Sequence, residues 1–168
     1  DFIIISPGID SSKCVLSKYL KQNYSKIYTD LDVFYSFFGN DSVTITGTNG
    51  KSTTAKLLYD VLRDQKKDAR LVGNIGNPIL SEKKIINKTF FVIEASSYQL
   101  EYSKIFKSKY SAILNITPDH IERHKNFKNY VDAKFRLLDS QTSQSVGFVK
   151  INDPVIIKKL RSKKYKQK

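Results

Sequence analysis

The stretch Val43-Thr44-Ile45-Thr46-Gly47-Thr48-Asn49-Gly50-Lys51-Ser52-Thr53-Thr54 constrains this chain more than any other. A β-branched run enters a turn with two glycines, and Lys-Ser then opens a segment suited to a helix. Gly47 and Gly50 let the backbone curl so that successive N–H groups point into one concavity, and the following helix adds the positive end of its dipole. An anion belongs in such a cradle. Lys51 can reach outer phosphates as a point charge, and the Ser52 hydroxyl can sit on a magnesium ion. The usual phosphate-loop spacing has a glycine five residues before Gly50, where this chain has Ile45. The competing reading is an ordinary strand-turn-helix connection. The loop alone indicates a nucleotide and no particular reaction.

At 168 residues the chain can hold one sizeable core, or one domain with part of another. It contains no methionine and opens directly on the apolar run Phe2-Ile3-Ile4-Ile5, so it reads as a fragment that starts inside a fold. No run approaches the roughly 18 apolar residues of a bilayer span, and no signal peptide is evident, so a soluble cytoplasmic protein is expected. Cys14 is the single cysteine, which excludes an internal disulfide and a cysteine-based zinc site and agrees with a reducing compartment. The net charge of +13 raises the question of nucleic acid. The lysines are scattered among Ile, Asn, Tyr and Ser, however, and the one dense run, Lys158 to Lys168, reads as a solvated tail or helix face. Neither nucleic acid nor membrane is expected as a partner, and the chain is expected to be a monomer.

Taken in order, 1–6 reads as a buried strand ended by Pro7-Gly8, and a helix is expected from Ser11 or Ser12 to Gln22 with Val15, Leu16, Tyr19 and Leu20 as its stripe. A short strand at 26–29 leads to a helical turn through Phe38 that Asp30 or Asp32 could cap. Gly39-Asn40-Asp41 is a natural linker, so a domain boundary is placed between 1–39 and 40–168. The spacing then predicts a helix over 51–65, with Thr54, Leu58, Val61 and Leu62 on one face. Strands follow at 70–72, 90–93 and 111–116, a helix over 126–139, a strand over 145–150 and a helix over 154–160. Phe90-Phe91-Val92-Ile93 has the continuous apolar character of a central parallel strand. Alternating strands and helices imply an α/β fold with a doubly wound, mostly parallel sheet.

In such a sheet, ligands bind beyond the carboxyl ends of the strands. The phosphate loop, Asn74, Glu94 with Ser96 and Ser97, and Asn115 to His120 all follow predicted strands, so all can face one crevice. Each alone has a plainer reading: Glu94 as a loop acid, His120 as a cap or a satisfied core histidine. Lys134 stands out by periodicity, because it falls on the stripe marked by Phe127, Tyr130, Val131 and Leu138. A buried ammonium is costly unless paired, neutralised or modified. The spacing leaves two readings open: a stem that snorkels to water, or an amine deprotonated by burial that reacts with carbon dioxide to form a metal-binding carbamate.

Thr46-Gly47-Thr48-Asn49-Gly50-Lys51-Ser52-Thr53 resembles the variant phosphate loop of the Mur ligases, ATP-dependent amide-forming enzymes of cell-wall synthesis, which accounts for Ile45. Gly73-Asn74-Ile75-Gly76, Glu94-Ala95-Ser96-Ser97-Tyr98-Gln99-Leu100-Glu101 and the run Leu114 to His124 are most similar to the branch that adds D-glutamate. Ser6-Pro7-Gly8-Ile9 resembles the end of that branch's UDP-binding domain. The resemblance implies that 1–39 closes a UDP-binding domain, that 40–168 is part of the central ATPase domain, and that the fragment is inactive by itself. It further implies ATP and magnesium as cofactors and UDP-N-acetylmuramoyl-L-alanine and D-glutamate as substrates, joined through an acyl phosphate. By the same resemblance, Gly47 to Thr53 and Asn74 bind nucleotide, with Lys51 on the outer phosphates. Ser52 and Glu94 hold one magnesium, His120 and carbamylated Lys134 a second, and Ser96, Asn115 and Thr117 face the substrate. Imidazole is an unusual magnesium ligand, since that ion prefers oxygen. A related ligase for another amino acid, a folate polyglutamate synthetase and a nucleotide-binding module without turnover are the alternatives.

Overall fold

The structure, a computed structural model, describes residues 1–167; Lys168 lies outside them. A parallel pair, β1 (Ile3–Ile4) and β2 (Ile27–Tyr28), stands apart from a five-stranded sheet. The larger sheet comprises β3 (Ser42–Thr46), β4 (Ala69–Gly73), β5 (Phe90–Glu94), β6 (Tyr110–Ile113) and β7 (Val146–Val149). Its order is β4-β5-β3-β6-β7 and every pairing is parallel. The helices are α1 (Ser17–Gln22), α2 (Asp30–Phe37), α3 (Lys51–Asp64), α4 (Ser97–Tyr102), α5 (Ile121–His124), α6 (Phe127–Asp139) and α7 (Pro154–Arg161).

β3 occupies the centre and alternates in character. Val43 and Ile45 pack with Ala55, Leu58 and Leu62 of α3 on one face. Ser42, Thr44 and Thr46 turn their hydroxyls to the other. On that second face Phe91 and Ile93 of β5 join Leu31 and Phe34 of α2, Leu100 of α4 and Leu137 of α6 in one core. Beside it, Ile113 packs with Tyr130, Val131, Phe135 and Leu138 of α6 and with Ile156 of α7. The sheet is thus covered on both sides, which is why β5 reads as an unbroken apolar run.

The register levels the strand ends. Ile45 is opposite Glu94, Gly73 opposite Glu94 and Thr46 opposite Ile113, so the loops after β3, β4, β5 and β6 leave from one edge. The chain passes from β3 outward to β4 and from β6 outward to β7, so the connections diverge between β3 and β6. That divergence opens a crevice at their carboxyl ends.

Several local expectations need correction. The amino-terminal strand is only two residues long, and α1 begins at Ser17, after turns. Of its expected stripe only Leu20 is buried, with Ile5, Ile27 and Tyr102, whereas Val15, Leu16 and Tyr19 are exposed: a two-stranded sheet offers too little surface to cover a whole helical face. Neither Asp30 nor Asp32 caps α2. Thr29 does, with Asp32 as the reciprocal partner three residues on, because Thr29 is the residue with extended backbone. Val61 of α3 is exposed, and Ala55 takes the buried position. β6 stops at Ile113, three residues early, as the backbone turns toward the phosphate loop: the Asn115 carbonyl accepts from Thr48 N–H at 2.9 Å.

Candidate functional site

The turn between β3 and α3 is built on Gly50, which caps α3 with φ +81°, a left-handed conformation that side-chain-bearing residues avoid. Its other support comes from across the crevice. The Asn115 side chain accepts from Asn49 N–H at 2.9 Å and donates to the Asn49 carbonyl at 3.0 Å, which pins the loop through the two peptides that flank Asn49. Thr48 Oγ lies 3.0 Å from the Tyr130 hydroxyl, donates to the Thr117 carbonyl at 3.1 Å and accepts from Thr117 N–H at 3.0 Å. The loop is therefore held by the segment after β6 and by α6. The Lys51 ammonium donates to the Thr48 carbonyl at 2.8 Å, which keeps its charge over the loop, and Ser52 and Thr53 are exposed on the first turn of α3.

Lys134 is only 2% exposed. Its stem does not snorkel: Nζ donates to the Gly47 carbonyl at 2.8 Å and sits 4.7 Å from the centre of the Tyr130 ring. Burial, and secondarily the charge of Lys51, lower its pKa from 10.5 to about 7, against the opposing pull of Asp119 and Glu94. The neutral amine is therefore well populated at neutral pH. Glu94 is fully buried at the end of β5. Its Oε1 accepts from the Asn74 side-chain amide at 2.7 Å, and its Oε2 has no hydrogen-bond partner among the described residues. Gly73 makes this pairing possible. At φ +104° it packs so tightly that a Cβ there would lie 2.3 Å from the Glu94 carbonyl oxygen.

His120 is half-exposed and takes a left-handed backbone (φ +50°) at the start of α5. Its ring lies 5.1 Å from Tyr98 and 6.5 Å from Tyr130, and its Nε2 is 3.4 Å from Asp119. Tyr130 thus neighbours both His120 and Lys134. Ser96 is occupied locally: it caps α4 by accepting from Gln99 N–H at 3.2 Å.

These groups suit a nucleotide phosphate and a hard cation. A buried carboxylate oxygen without a donor is costly unless a cation reaches it, and the buried Thr46 hydroxyl is likewise unpartnered. No cluster of three or more His, Cys, Asp or Glu side chains that could hold a metal occurs among the described residues. The donor set therefore matches magnesium held by one or two protein oxygens plus phosphate oxygens better than a self-contained metal cage.

Against this geometry, the family model described as the Mur ligase middle domain matches residues 45–168. The chain belongs to the Mur ligase family. It is 39% identical over 154 residues to a UDP-N-acetylmuramoylalanine–D-glutamate ligase of Rickettsia bellii, covering 91% of this chain and 34% of that protein. A protein of the same name from Elusimicrobium minutum is 38% identical over 174 residues, covering 98% and 38%. The chain spans about a third of the length of the curated relatives it matches. Among solved structures it is similar to the UDP-N-acetylmuramate:L-alanyl-gamma-D-glutamyl-meso-diaminopimelate ligase of Neisseria meningitides (TM-score 0.69, 13% identity, 99% of this chain and 57% of that one). It is also similar to the MurF ligase of Thermotoga maritima in complex with ADP (TM-score 0.59, 16% identity, 87% and 42%). At those identities the structures show the fold alone.

Within this Mur ligase chain, Gly47 to Ser52, Asn74, Glu94, Asn115, Thr117, His120 and Lys134 come to one strand-end crevice. The sequence reading passed over two side chains there. His124 is buried, with Nε2 3.0 Å from Ser97 Oγ and its ring stacked on Tyr98 at 5.6 Å. Burial, then the charges of Arg123, Lys134 and His120, lower its pKa to about 4, so it is neutral. Tyr98 is the second. Neither position carries a periodic signal, because their partners lie 22 to 27 residues away in sequence. No helix among the described residues is long and apolar enough to cross a membrane.

Proposed function

We propose that this chain is the phosphate-binding part of an ATP-dependent ligase that adds D-glutamate to UDP-N-acetylmuramoyl-L-alanine in peptidoglycan synthesis. The observation that carries the reading is the convergence of the phosphate loop, a buried carboxylate with one free oxygen and a buried lysine amine at one strand-end crevice. The choice of D-glutamate draws on the Ser-Ser-Tyr-Gln-Leu-Glu run and on the names of the relatives. Residues 1–39 close a UDP-binding domain, with α2 docked on the sheet, and 40–168 belong to the central ATPase domain.

In this scheme the N–H groups of Gly47 to Ser52 cradle the nucleotide phosphates, and Lys51 swings from the Thr48 carbonyl to the outer ones. Ser52 and Glu94 would hold one magnesium, and His120 and Lys134, as its carbamate, would hold a second. Bound magnesium supplies neutralisation of charge on the phosphoryl oxygens. Asn74 orients Glu94 and borders the nucleotide, Thr117 and Asn115 line the substrate side, and Ser96 reaches the substrate by way of the α4 terminus it caps. The substrate carboxylate is phosphorylated by ATP, the amine of D-glutamate attacks the acyl phosphate, and phosphate leaves. The complete protein acts in the cytoplasm, as a monomer.

The test is phosphate release by the full-length parent. Release is expected from ATP only with UDP-N-acetylmuramoyl-L-alanine and D-glutamate together. Equal release with L-lysine, diaminopimelate or L-glutamate in place of D-glutamate would overturn the assignment.

A further inference from the structure

α5 is a single turn with non-glycine left-handed residues at both ends, His120 at φ +50° and Lys125 at φ +69°. One turn of helix has almost no stability of its own, and left-handed backbone at both ends adds strain, so its position must be imposed by side-chain contacts. The side chains of its N-cap, His120, and of its Arg123 and His124 converge on one ring. The His120 imidazole lies 5.1 Å from the Tyr98 ring centre, the Arg123 guanidinium 4.8 Å over it, and the His124 imidazole is stacked at 5.6 Å. Arg123 also donates to the Ile9 carbonyl at 2.6 Å, which ties the turn to the amino-terminal segment.

Tyr98 is itself well anchored. It sits in the first turn of α4, whose start is locked by the reciprocal Ser96–Gln99 cap, and α4 follows the buried end of β5 directly. The ring therefore connects the strand that carries Glu94 to the turn that carries His120. It also borders a hollow of about 400 Å³ together with Asp10, Lys13 and His120. Among the described residues the Tyr98 hydroxyl enters no hydrogen bond; its neighbours meet the ring, with the Arg123 guanidinium over it, the His124 imidazole stacked on it and the His120 imidazole tilted by 51° to it.

We propose that Tyr98 is a positioning residue whose aromatic ring, not its hydroxyl, sets the His120 imidazole at the mouth of the strand-end crevice. The importance of that placement rests on His120 being a site residue. The geometry itself can be tested whether or not that reading stands.

The chain has only two histidines, so their ring resonances are readily assigned. In the unmutated 168-residue chain, nuclear Overhauser contacts are expected between His120 and Tyr98 ring protons. Their absence overturns the proposal, and this arm requires no variant to fold. In Tyr98→Phe the His120 ring protons are expected to stay at their wild-type positions. In Tyr98→Leu they are expected to move toward the values of an exposed histidine, as the ring current is lost. A His120 signal unmoved in Tyr98→Leu, or displaced equally in Tyr98→Phe, overturns the proposal. A full-length parent that fails to use D-glutamate would refute the functional reading and leave these resonances unaffected.

Discussion

Replacing Asp32 by alanine is expected to cost this chain about 3–5 kcal/mol of stability. Asp32 is 1% exposed, and its carboxylate joins two parts of the chain. Oδ2 accepts from Thr29 N–H at 3.1 Å and from the Thr29 hydroxyl at 3.3 Å, closing the cap of α2. Oδ1 accepts from Lys104, Ile105 and Phe106 N–H at 2.9, 2.8 and 3.0 Å, and from the Ser103 hydroxyl at 3.1 Å. Three successive N–H groups on one oxygen form an anion nest around a fixed negative charge. Alanine leaves four backbone donors without that acceptor. An orphaned buried donor costs about 1–3 kcal/mol. The donors of Lys104 and Ile105 are only part-buried, so water recovers some of the loss, and the total falls near the 3–5 kcal/mol typical of breaking a buried charged network. In a domain of this size that corresponds to a fall in Tm of roughly 6–20 °C. Asp32→Asn keeps one acceptor oxygen for the nest but loses the charge, so about half the effect is expected. Urea unfolding followed by circular dichroism measures both. A loss below about 1 kcal/mol in Asp32→Ala would refute the nest as a principal tie between α2 and the segment after α4.

The remaining predictions concern the crevice. Lys134 has a folded pKa of about 7 against 10.5 ordinarily, so between those values the unfolded chain binds the extra proton. Stability should therefore rise with pH from about 7 to 10.5, by about 1.4 kcal/mol per unit at most, with the full penalty of the buried charge present below 7. Lys134→Met should lack that slope, and identical pH–stability curves for the two proteins would contradict burial of the amine. In ¹³C-bicarbonate, a carbamate resonance that Lys134→Met lacks should grow as pH passes through 7. Gly73→Ala should destabilise by roughly 3 kcal/mol, since its methyl meets the Glu94 carbonyl oxygen at 2.3 Å across a positive φ. Near-normal urea unfolding of that variant would mean that β4 and β5 can separate without loss.

Much of the fold follows from short-range pattern. β5 is legible because a strand covered on both faces needs side chains that are apolar on both, and Phe90 to Ile93 satisfy this. α6 is legible from its stripe, and the stripe places Lys134 on the apolar face while leaving open whether its stem reaches water; the fold decides for burial. The phosphate loop is legible because left-handed backbone beside a helix start leaves few residues but glycine. α1 is the counterexample. Its stripe has helical spacing, yet only Leu20 finds a partner, because periodicity states which face could be buried and not whether anything covers it.

What the sequence by itself determined are the order of strands and helices in the larger sheet, the glycine turn and the identity of the groups that follow each strand. Each of these depends on residues within one turn or one strand of each other. Tertiary structure alone decided how those groups pair. Lys134 donates to Gly47, 87 residues away, and Asn115 grips Asn49, 66 residues away. Asp32 reaches the segment 103–106, and Tyr98 gathers the side chains of His120, Arg123 and His124. Such contacts have no period, because they are set by the register of the sheet: once Glu94 lies level with Gly73 and Ile45, and Thr46 with Ile113, every loop beyond those ends is brought to one edge. The pKa of Lys134 belongs to the same class, since the chemistry of an amine is fixed by covalent structure but its charge in the fold is fixed by what surrounds it.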